Sequence, residues 1–301
     1  MDNPAPIALF VYNRPVHTQK TLSALLENDG FSQSDLYIFS DAPKKEEDVE
    51  KVNAVREIIK NIKGANAIQI IESQTNKGLA DSIIGGISHI IKKNGKIIVL
   101  EDDVVTSSCF ISYMNKALSL YQNDDKVMHV SAYIPPINKK LPSTFFYNQA
   151  SCWGWGTWER AWEKFENKPA ELIERIKNTK RVDAFNIDGA CSFLDQLEQN
   201  ARGEIYTWAI KWQAAVFLNN GLCLHPNKSL VQNIGLDWSG VHSGLMPHLL
   251  HKKLSNKFNI ERIELEESHA ARKAMVKFYN KNKIKQGVVS KIRSFLKNQL
   301  H

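Results

Sequence analysis

The chain has 301 residues, of which 43% are hydrophobic and 24% are charged, so it is long enough to bury a substantial core. No apolar run approaches the roughly 18 to 20 residues of a membrane span, and no basic segment followed by an apolar core marks a signal peptide, so we expect a cytoplasmic protein. The formal net charge is +7, but nine Lys and Arg and no Asp or Glu follow residue 271, which leaves −2 for the rest of the chain.

Strands and helices alternate along the first hundred residues. Each predicted strand is a short apolar run, and each is followed by a polar turn and a helical pattern. This alternation predicts the α/β class, with a doubly wound, mainly parallel sheet whose strands end at one shared rim. The predicted strands are 7–12, 36–39, 67–71 and 97–100, and the predicted helices are 17–26, 44–63 and 81–93.

The later part of the chain continues this pattern less regularly. The segment 151–158 contains three tryptophans and two glycines, and we predict that it opens a helix carrying Trp162. We assign 1–250 to one compact domain and 251–301 to a basic tail. The other predicted elements are a helix over 107–122, a strand over 127–132, a hairpin or loop over 138–150, helices over 170–203 and 205–218, and a strand over 221–225.

Three acids, Glu101, Asp102 and Asp103, directly follow the apolar strand over 97–100, and we term them the acidic tip. In open α/β sheets the ligand crevice lies outside the carboxyl ends of the strands. Adjacent carboxylates repel one another unless a cation joins them, and hard oxygen ligands favour Mg²⁺ or Mn²⁺ carrying phosphate. The tip therefore predicts a metal-bound diphosphate site. The alternative is that these acids only stabilise the first turn of the helix over 107–122.

Four segments, in this order, resemble the nucleotide-sugar half of a GT-A glycosyltransferase. Within that fold, the acidic tip and the segment 153–158 resemble N-acetylglucosaminyltransferase I and bacterial family 2-like sugar transferases, over roughly residues 5–245. The segments are 10–15 (Phe-Val-Tyr-Asn-Arg-Pro), 40–41 (Ser-Asp), 76–80 (Asn-Lys-Gly-Leu-Ala) and 100–103 (Leu-Glu-Asp-Asp).

The resemblance implies a GT-A type nucleotide-sugar-binding fold with a mainly parallel sheet flanked by helices. It implies transfer of a hexose or N-acetylhexosamine from a nucleoside-diphosphate sugar, UDP-linked, to a glycan or lipid-linked acceptor. It also implies inversion at the anomeric carbon, and a role in bacterial surface polysaccharide or lipopolysaccharide synthesis. A divalent ion, Mn²⁺ or Mg²⁺, would stabilise the charge on the departing nucleoside diphosphate.

The resemblance gives roles to the residues that hold the nucleotide. Asp41 would contact the base or ribose, and the backbone after Asn13 would wrap the uracil, with Arg14 near the diphosphate. Asn76 and Gly78 would close over the donor, because glycine permits a close backbone approach. The alternatives are a helix cap at Asp41, a plain turn at Asn13, and an ordinary loop around Gly78.

The resemblance also assigns the sugar and metal contacts. Asp102 would bind sugar or ribose hydroxyls, and Asp103 would bind the metal. Many GT-A enzymes add a late histidine as a metal ligand, and His242, in the polar, glycine-rich stretch 233–242, is the candidate here; its alternative is a surface or packing residue. Asp237 in the same stretch would serve either the acceptor or the metal.

The tryptophan-rich segment has two interpretations. Flat aromatic faces suit sugar rings, and glycines let the backbone approach a ligand, so Gly154 and Trp155 are predicted to line a sugar. Trp158 and Trp162 are predicted to pack inside. The alternative is that the four tryptophans belong to the core, namely Trp153, Trp155, Trp158 and Trp162.

The chain departs from the relatives at the position of the general base. The segment over 206–212 is the counterpart of one that supplies an aspartate in the relatives, and here it contains no carboxylate. Glu204, just before it, is the first candidate, and Asp237 is the alternative. Glu204 is also explained as an acid at a helix start.

Two other classes remain open from the sequence. A sugar nucleotidyltransferase combines a nucleotide site with acidic metal ligands, but a glycine-rich segment with a basic residue is expected after its first strand. A non-catalytic sugar-binding protein would keep the aromatic residues without needing Asp103.

The tail 285–300 has apolar residues at three- and four-residue steps with basic residues between them. This pattern predicts a basic amphipathic helix in peripheral contact with an anionic membrane. The alternative is an ordinary solvated or frayed helix. No nucleic-acid partner is expected, because no reading module accompanies the basic residues.

Overall fold

The computed structural model describes residues 3–236, 247–251 and 253–282. The predicted site residues Asp237 and His242, and the predicted amphipathic helix of the tail, lie outside these ranges. The strands are β1 Ile7–Val11, β2 Asp35–Ser40, β3 Ala67–Glu72, β4 Lys96–Glu101, β5 Val104–Thr106, β6 Val127–Ser131, β7 Thr144–Phe146, β8 Trp155–Trp158, β9 Leu222–Pro226 and β10 Val231–Asn233.

Helices follow most of the strands and cover the sheet. None of the helices in the described part of the chain is long and apolar enough to cross a bilayer. The helices are α1 Pro15–Leu26, α2 Val49–Lys60, α3 Leu79–Asn94, α4 Phe110–Leu120, α5 Glu159–Trp162, α6 Pro169–Asn178, α7 Val182–Phe185, α8 Phe193–Ala201, α9 Ala209–Leu218, and α10 over 269–282.

The central sheet has eight strands in the order β3-β2-β1-β4-β8-β6-β9-β7. Strands β3, β2, β1 and β4 pair in parallel, as do β6 and β9, whereas β8 and β7 run antiparallel to their neighbours. Six of the eight strands therefore point the same way, which confirms the predicted mainly parallel sheet flanked by helices. The short strands β5 and β10 form a separate antiparallel pair.

Strand β8 corrects the prediction that 151–158 opens a helix. It lies between β4 and β6, with Trp155 opposite Val99, and the helix begins only at Glu159. Tryptophan and threonine suit a pleated, buried surface. Gly156 makes the close pairing with β4 possible, because a Cβ there would lie 2.9 Å from the carbonyl oxygen of Ile97.

Alternating side chains place a core on each face of the sheet. In β1, Ile7 and Leu9 belong to the core shared with α1, α2 and α4, whereas Ala8 and Phe10 face α3. Helix α3 approaches β1 closely at Gly86, where a Cβ would lie 2.6 Å from the ring of Phe10. This contact fixes the helix over the centre of the sheet.

Three neighbouring parallel strands end at the same edge of the sheet. In the register, Val11 lies opposite Ser40, and Phe10 lies opposite Glu101. The polar residues that follow β1, β2 and β4 are therefore brought together at one rim, as the sequence predicts.

The described part of the tail packs on the body of the protein. The ring of Phe258 contacts Tyr113 edge-on with centroids 5.6 Å apart, and Glu267 forms a parallel bridge with Phe146 at the edge strand β7. At the start of α10, Arg272 pairs with Asp188 at 2.7 Å. The domain boundary at residue 250 stays a prediction.

Candidate functional site

The acidic tip lies in a tight connection between two sheets. Glu101 is the last residue of β4, and β5 begins at Val104, so Asp102 and Asp103 occupy the turn between them. Strand β10 pairs with β5 and places Asn233 opposite Val104. The tip is thus held by the central sheet on one side and by the small sheet on the other.

Arg14 supplies a positive charge to the tip. Its Nη1 atom donates a hydrogen bond to Asp103 Oδ2 at 2.7 Å and lies 3.6 Å from Asp102 Oδ1. The other oxygen of Asp103 accepts a bond from Asn233 Nδ2 at 3.1 Å. Gly235 packs so closely that a Cβ on it would collide with Asp103 and with the guanidinium of Arg14. The Asn233–Gly235 stretch is therefore part of the site.

Burial raises the pKa values of two acids at the tip. The pKa of Asp102 is raised to about 7, first by burial and then by the negative charge of Asp103, while Arg14 opposes the shift. The pKa of Glu101 is raised well above its ordinary value, again first by burial and then by its acidic neighbours. Burial and the neighbouring acids therefore disfavour the charged forms of both Glu101 and Asp102.

The described side chains around the acidic tip do not form a set of metal ligands. Within 3–236, 247–251 and 253–282, no three His, Cys, Asp or Glu side chains converge in a way that could hold a metal ion. Both oxygens of Asp103 accept hydrogen bonds, from Arg14 and Asn233. The donor set in these ranges does not fit a resident divalent ion, and the positive charge at the tip is that of Arg14.

A hydrogen-bond network occupies the rim at the end of β1. Asn13 Nδ2 and Tyr12 Oη donate to the two oxygens of Asp48 at 2.7 and 2.9 Å, and the backbone N–H of Lys44 donates to Tyr12 Oη at 2.9 Å. The bond from Asn13 is the main cause of a lowered pKa at Asp48, and burial raises the pKa of Tyr12 to about 12. Asp48 lies in a charged stretch, and no local pattern distinguishes it from its neighbours.

Asp41 holds the loop in front of α3. Its carboxylate accepts backbone N–H bonds from Ala42, Lys77 and Gly78, the last at 2.8 Å. The side-chain amide of Asn76 donates to the carbonyl of Ala42 at 2.6 Å. Gly78 has φ +78°, a conformation that favours glycine. Asp41 therefore fixes this loop at the rim, and its predicted nucleotide contact stays a prediction.

Trp155 and Gly154 lie inside the protein, which corrects the prediction that they line a sugar. Trp155 is 0% exposed and stacks on Trp208, with ring centroids 5.3 Å apart. A Cβ on Gly154 would lie 2.8 Å from Val231. Alternation along β8 turns Trp155 into the core on the α3 face, where Trp162 also packs, as predicted.

Glu204 pairs with a neighbouring arginine at the surface. Its side chain is 52% exposed and forms an ion pair with Arg202 at 2.6 Å. The hydrogen bond from Arg202 lowers the pKa of Glu204, which makes this carboxylate a weaker base. The role of Glu204 as the general base stays a prediction.

No protein-family model matches the chain, and no curated protein matches it. Among solved structures, it is similar to the mannosyltransferase PcManGT from Pyrobaculum calidifontis in complex with GDP-Man and Mn²⁺, at 14% identity over 56% of this chain, with TM-score 0.39. It is similar to S. aureus TarS at 12% identity over 75% of this chain, with TM-score 0.39. It is also similar to a UDP-glucose pyrophosphorylase complexed with UDP-glucose, at 10% identity over 74% of this chain and 90% of that one, with TM-score 0.37. The chain spans 46% and 36% of the lengths of PcManGT and TarS.

Proposed function

We propose that this protein is a glycosyltransferase that moves a sugar from a nucleoside-diphosphate sugar, UDP-linked, to a glycan or lipid-linked acceptor. The observation that carries the proposal is the Arg14–Asp103 pair at the carboxyl edge of three parallel strands. Ligands of α/β sheets bind at this edge. A site with an arginine beside carboxylates can hold both the phosphates and the hydroxyls of such a donor.

In this proposal, different rim residues contact different parts of the donor. Arg14 faces the diphosphate and stabilises the negative charge that grows as the nucleoside diphosphate leaves. Asp102 faces sugar or ribose hydroxyls. Asn13 and the loop fixed by Asp41 lie toward the nucleoside.

The dependence of the proposed sugar transfer on a divalent metal ion has to be measured. Mn²⁺ or Mg²⁺ would need Asp103 together with ligands beyond residue 236, of which His242 is the sequence candidate. Glu204 is the first candidate for the general base, and Asp237 is the alternative. The predicted inversion is checked by determining the anomeric configuration of the product by NMR.

Release of nucleoside diphosphate tests the proposed function. Wild-type protein is incubated with a panel of UDP- and GDP-sugars, with Mn²⁺ or with EDTA, with and without simple glycoside acceptors. Asp103→Ala should abolish the release. Asp125→Ala is the matched control, because the side chain of Asp125 is 96% exposed, and it should keep wild-type activity.

Each other outcome identifies a different class of protein. No release from any donor sinks the transferase proposal. Formation of a nucleotide sugar and pyrophosphate from a nucleoside triphosphate and a sugar phosphate would indicate a nucleotidyltransferase. Saturable sugar binding without turnover would indicate a binding protein.

We also propose that the enzyme serves bacterial surface polysaccharide or lipopolysaccharide synthesis at the inner face of the cell membrane. The support is the basic, periodic sequence over 285–300. Deleting 285–301 and measuring flotation with phosphatidylglycerol vesicles tests the membrane contact. Equal flotation of both proteins contradicts it.

A further inference from the structure

Tyr206 presents an exposed aromatic ring that is held in place from several sides. The residue is 54% exposed and lies between α8 and α9. Its hydroxyl donates to Asp81 Oδ1 at 2.6 Å and accepts a bond from Asn167 Nδ2 at 3.1 Å. Two partners on separate segments therefore fix the outer end of this side chain.

A buried ammonium group fixes the ring itself. Lys211 Nζ lies 4.3 Å from the centroid of the Tyr206 ring, and Lys211 is 0% exposed. The same ammonium donates to Asn167 Oδ1 at 2.5 Å. The cation covers one side of the ring, while more than half of the tyrosine stays open to solvent.

A short chain of contacts connects Tyr206 to the rim. Its partner Asp81 is the third residue of α3, and α3 begins directly after Gly78. The N–H of Gly78 is held by Asp41 at 2.8 Å. Two residues after the tyrosine, Trp208 stacks on Trp155 of β8, the strand beside β4. The exposed ring therefore stands beside the first turn of α3, next to the loop that Asp41 holds.

We propose that Tyr206 is a platform on which a pyranose ring stacks, and that this ring is the sugar of the acceptor. The inference rests on the proposed glycosyltransferase function. Aromatic faces suit the apolar face of a sugar, and a ring already fixed by Asp81, Asn167 and Lys211 loses little freedom when a ligand binds. Trp155, the sequence candidate for this task, is buried.

Kinetics with two variants separate an acceptor platform from a donor platform. The probes are a panel of methyl hexopyranosides and methyl N-acetylhexosaminides, added as acceptors to the donor that the wild type hydrolyses. Tyr206→Ala should raise the acceptor KM about tenfold, the size expected for loss of one aromatic contact, with donor KM and acceptor-free donor hydrolysis unchanged. Tyr206→Phe keeps the ring and should stay within about threefold of wild type. Leu26→Ala is the control, because Leu26 is a 45% exposed residue at the C-terminal end of α1.

A direct observation of the ring keeps the test independent of variant folding. Wild-type protein labelled with 3-fluorotyrosine gives a ¹⁹F resonance that is missing from Tyr206→Phe, and the methyl glycosides should shift it saturably. An unchanged resonance with every sugar of the panel overturns the proposal. A rise in donor KM in place of acceptor KM in Tyr206→Ala assigns the platform to the donor sugar and overturns the acceptor assignment. If the wild-type protein hydrolyses no donor at all, that separate result rejects the proposed function itself.

Discussion

Arg14 and Asp103 are 89 residues apart in the chain, yet their side chains meet across 2.7 Å at the rim of the sheet. Both side chains are 14% exposed, so their attraction is screened less by water than at the surface. The guanidinium also opposes the repulsion among the three acids of the tip. The pair therefore affects both the stability of the turn and the charge that a ligand meets.

A double-mutant cycle with Arg14→Met and Asp103→Asn should show strong coupling. Removal of the arginine leaves the acids uncompensated, so we expect Arg14→Met alone to cost about 2 to 4 kcal/mol, with a coupling energy of about 1 to 3 kcal/mol. Urea unfolding of the four proteins measures both quantities. The surface pair Arg175–Glu166, whose side chains are 46% and 33% exposed, is the control and should couple by less than about 1 kcal/mol. Equal coupling in both pairs would contradict the prediction.

Asp41→Asn should loosen the loop in front of α3. An asparagine offers one acceptor oxygen in place of two and turns an N–H toward the amides of Lys77 and Gly78. Hydrogen exchange at those two amides should speed up by about tenfold or more. Asp35→Asn, at the other end of the same strand, is the control and should leave them unchanged. Wild-type exchange in Asp41→Asn would mean that other contacts hold the loop.

The first half of the sheet could be predicted because its signals are local. Each of β1, β2 and β4 is an apolar run ending in polar residues, and parallel pairing then fixes where those residues meet. The bonding partners at the rim could not be predicted this way. Asn13 bonds to Asp48, 35 residues away, and nothing in the charged stretch around Asp48 marks it as a partner.

The structure of the tryptophan segment also depends on distant partners. Its pattern of tryptophan and glycine is compatible with a helix start, a strand or a binding loop. The strand is selected by pairing with β4 and β6, which come from other parts of the chain. That pairing also decides that Trp155 points into the core. An exposed aromatic ring is found instead at Tyr206, which contacts Asp81 and Lys211.

The adjacent glycines of α3 should respond in opposite ways to alanine. Gly85 has open space around a Cβ, so Gly85→Ala should stabilise the protein by about 0.5 to 1 kcal/mol through the better helix propensity of alanine. At Gly86 the added methyl group would meet the ring of Phe10, so Gly86→Ala should cost about 1 to 3 kcal/mol. Thermal unfolding of both variants checks this. Equal changes would show that α3 does not pack as closely on β1 as described.

His129 should make the protein less stable in acid. Its Nδ1 accepts a bond from Trp212 Nε1 at 3.1 Å, so the buried ring is neutral, and burial lowers its pKa to about 3. The unfolded chain takes up a proton below about pH 6.5 and the folded protein does not, so stability is full above that pH and falls below it. Between about pH 7 and pH 4 this loss amounts to about 3 kcal/mol.

Urea unfolding at both pH values measures the effect of His129. His129→Gln should lower stability at neutral pH but flatten its fall toward acid. His269→Gln, at an exposed histidine, should keep the wild-type slope. An unchanged slope in His129→Gln would show that other groups cause the acid loss.

The pairing of β5 with β10 also sets the order in which the site can be completed during synthesis. Asn233 is 130 residues downstream of Asp103. It lies on β10, which follows α9 in the chain. A nascent chain can form β1 to β4 and bring Arg14 to the acids long before Asn233 leaves the ribosome. A chain truncated before β10 should therefore bury much of the same sheet and still lack the hydrogen bond from Asn233 that completes the tip.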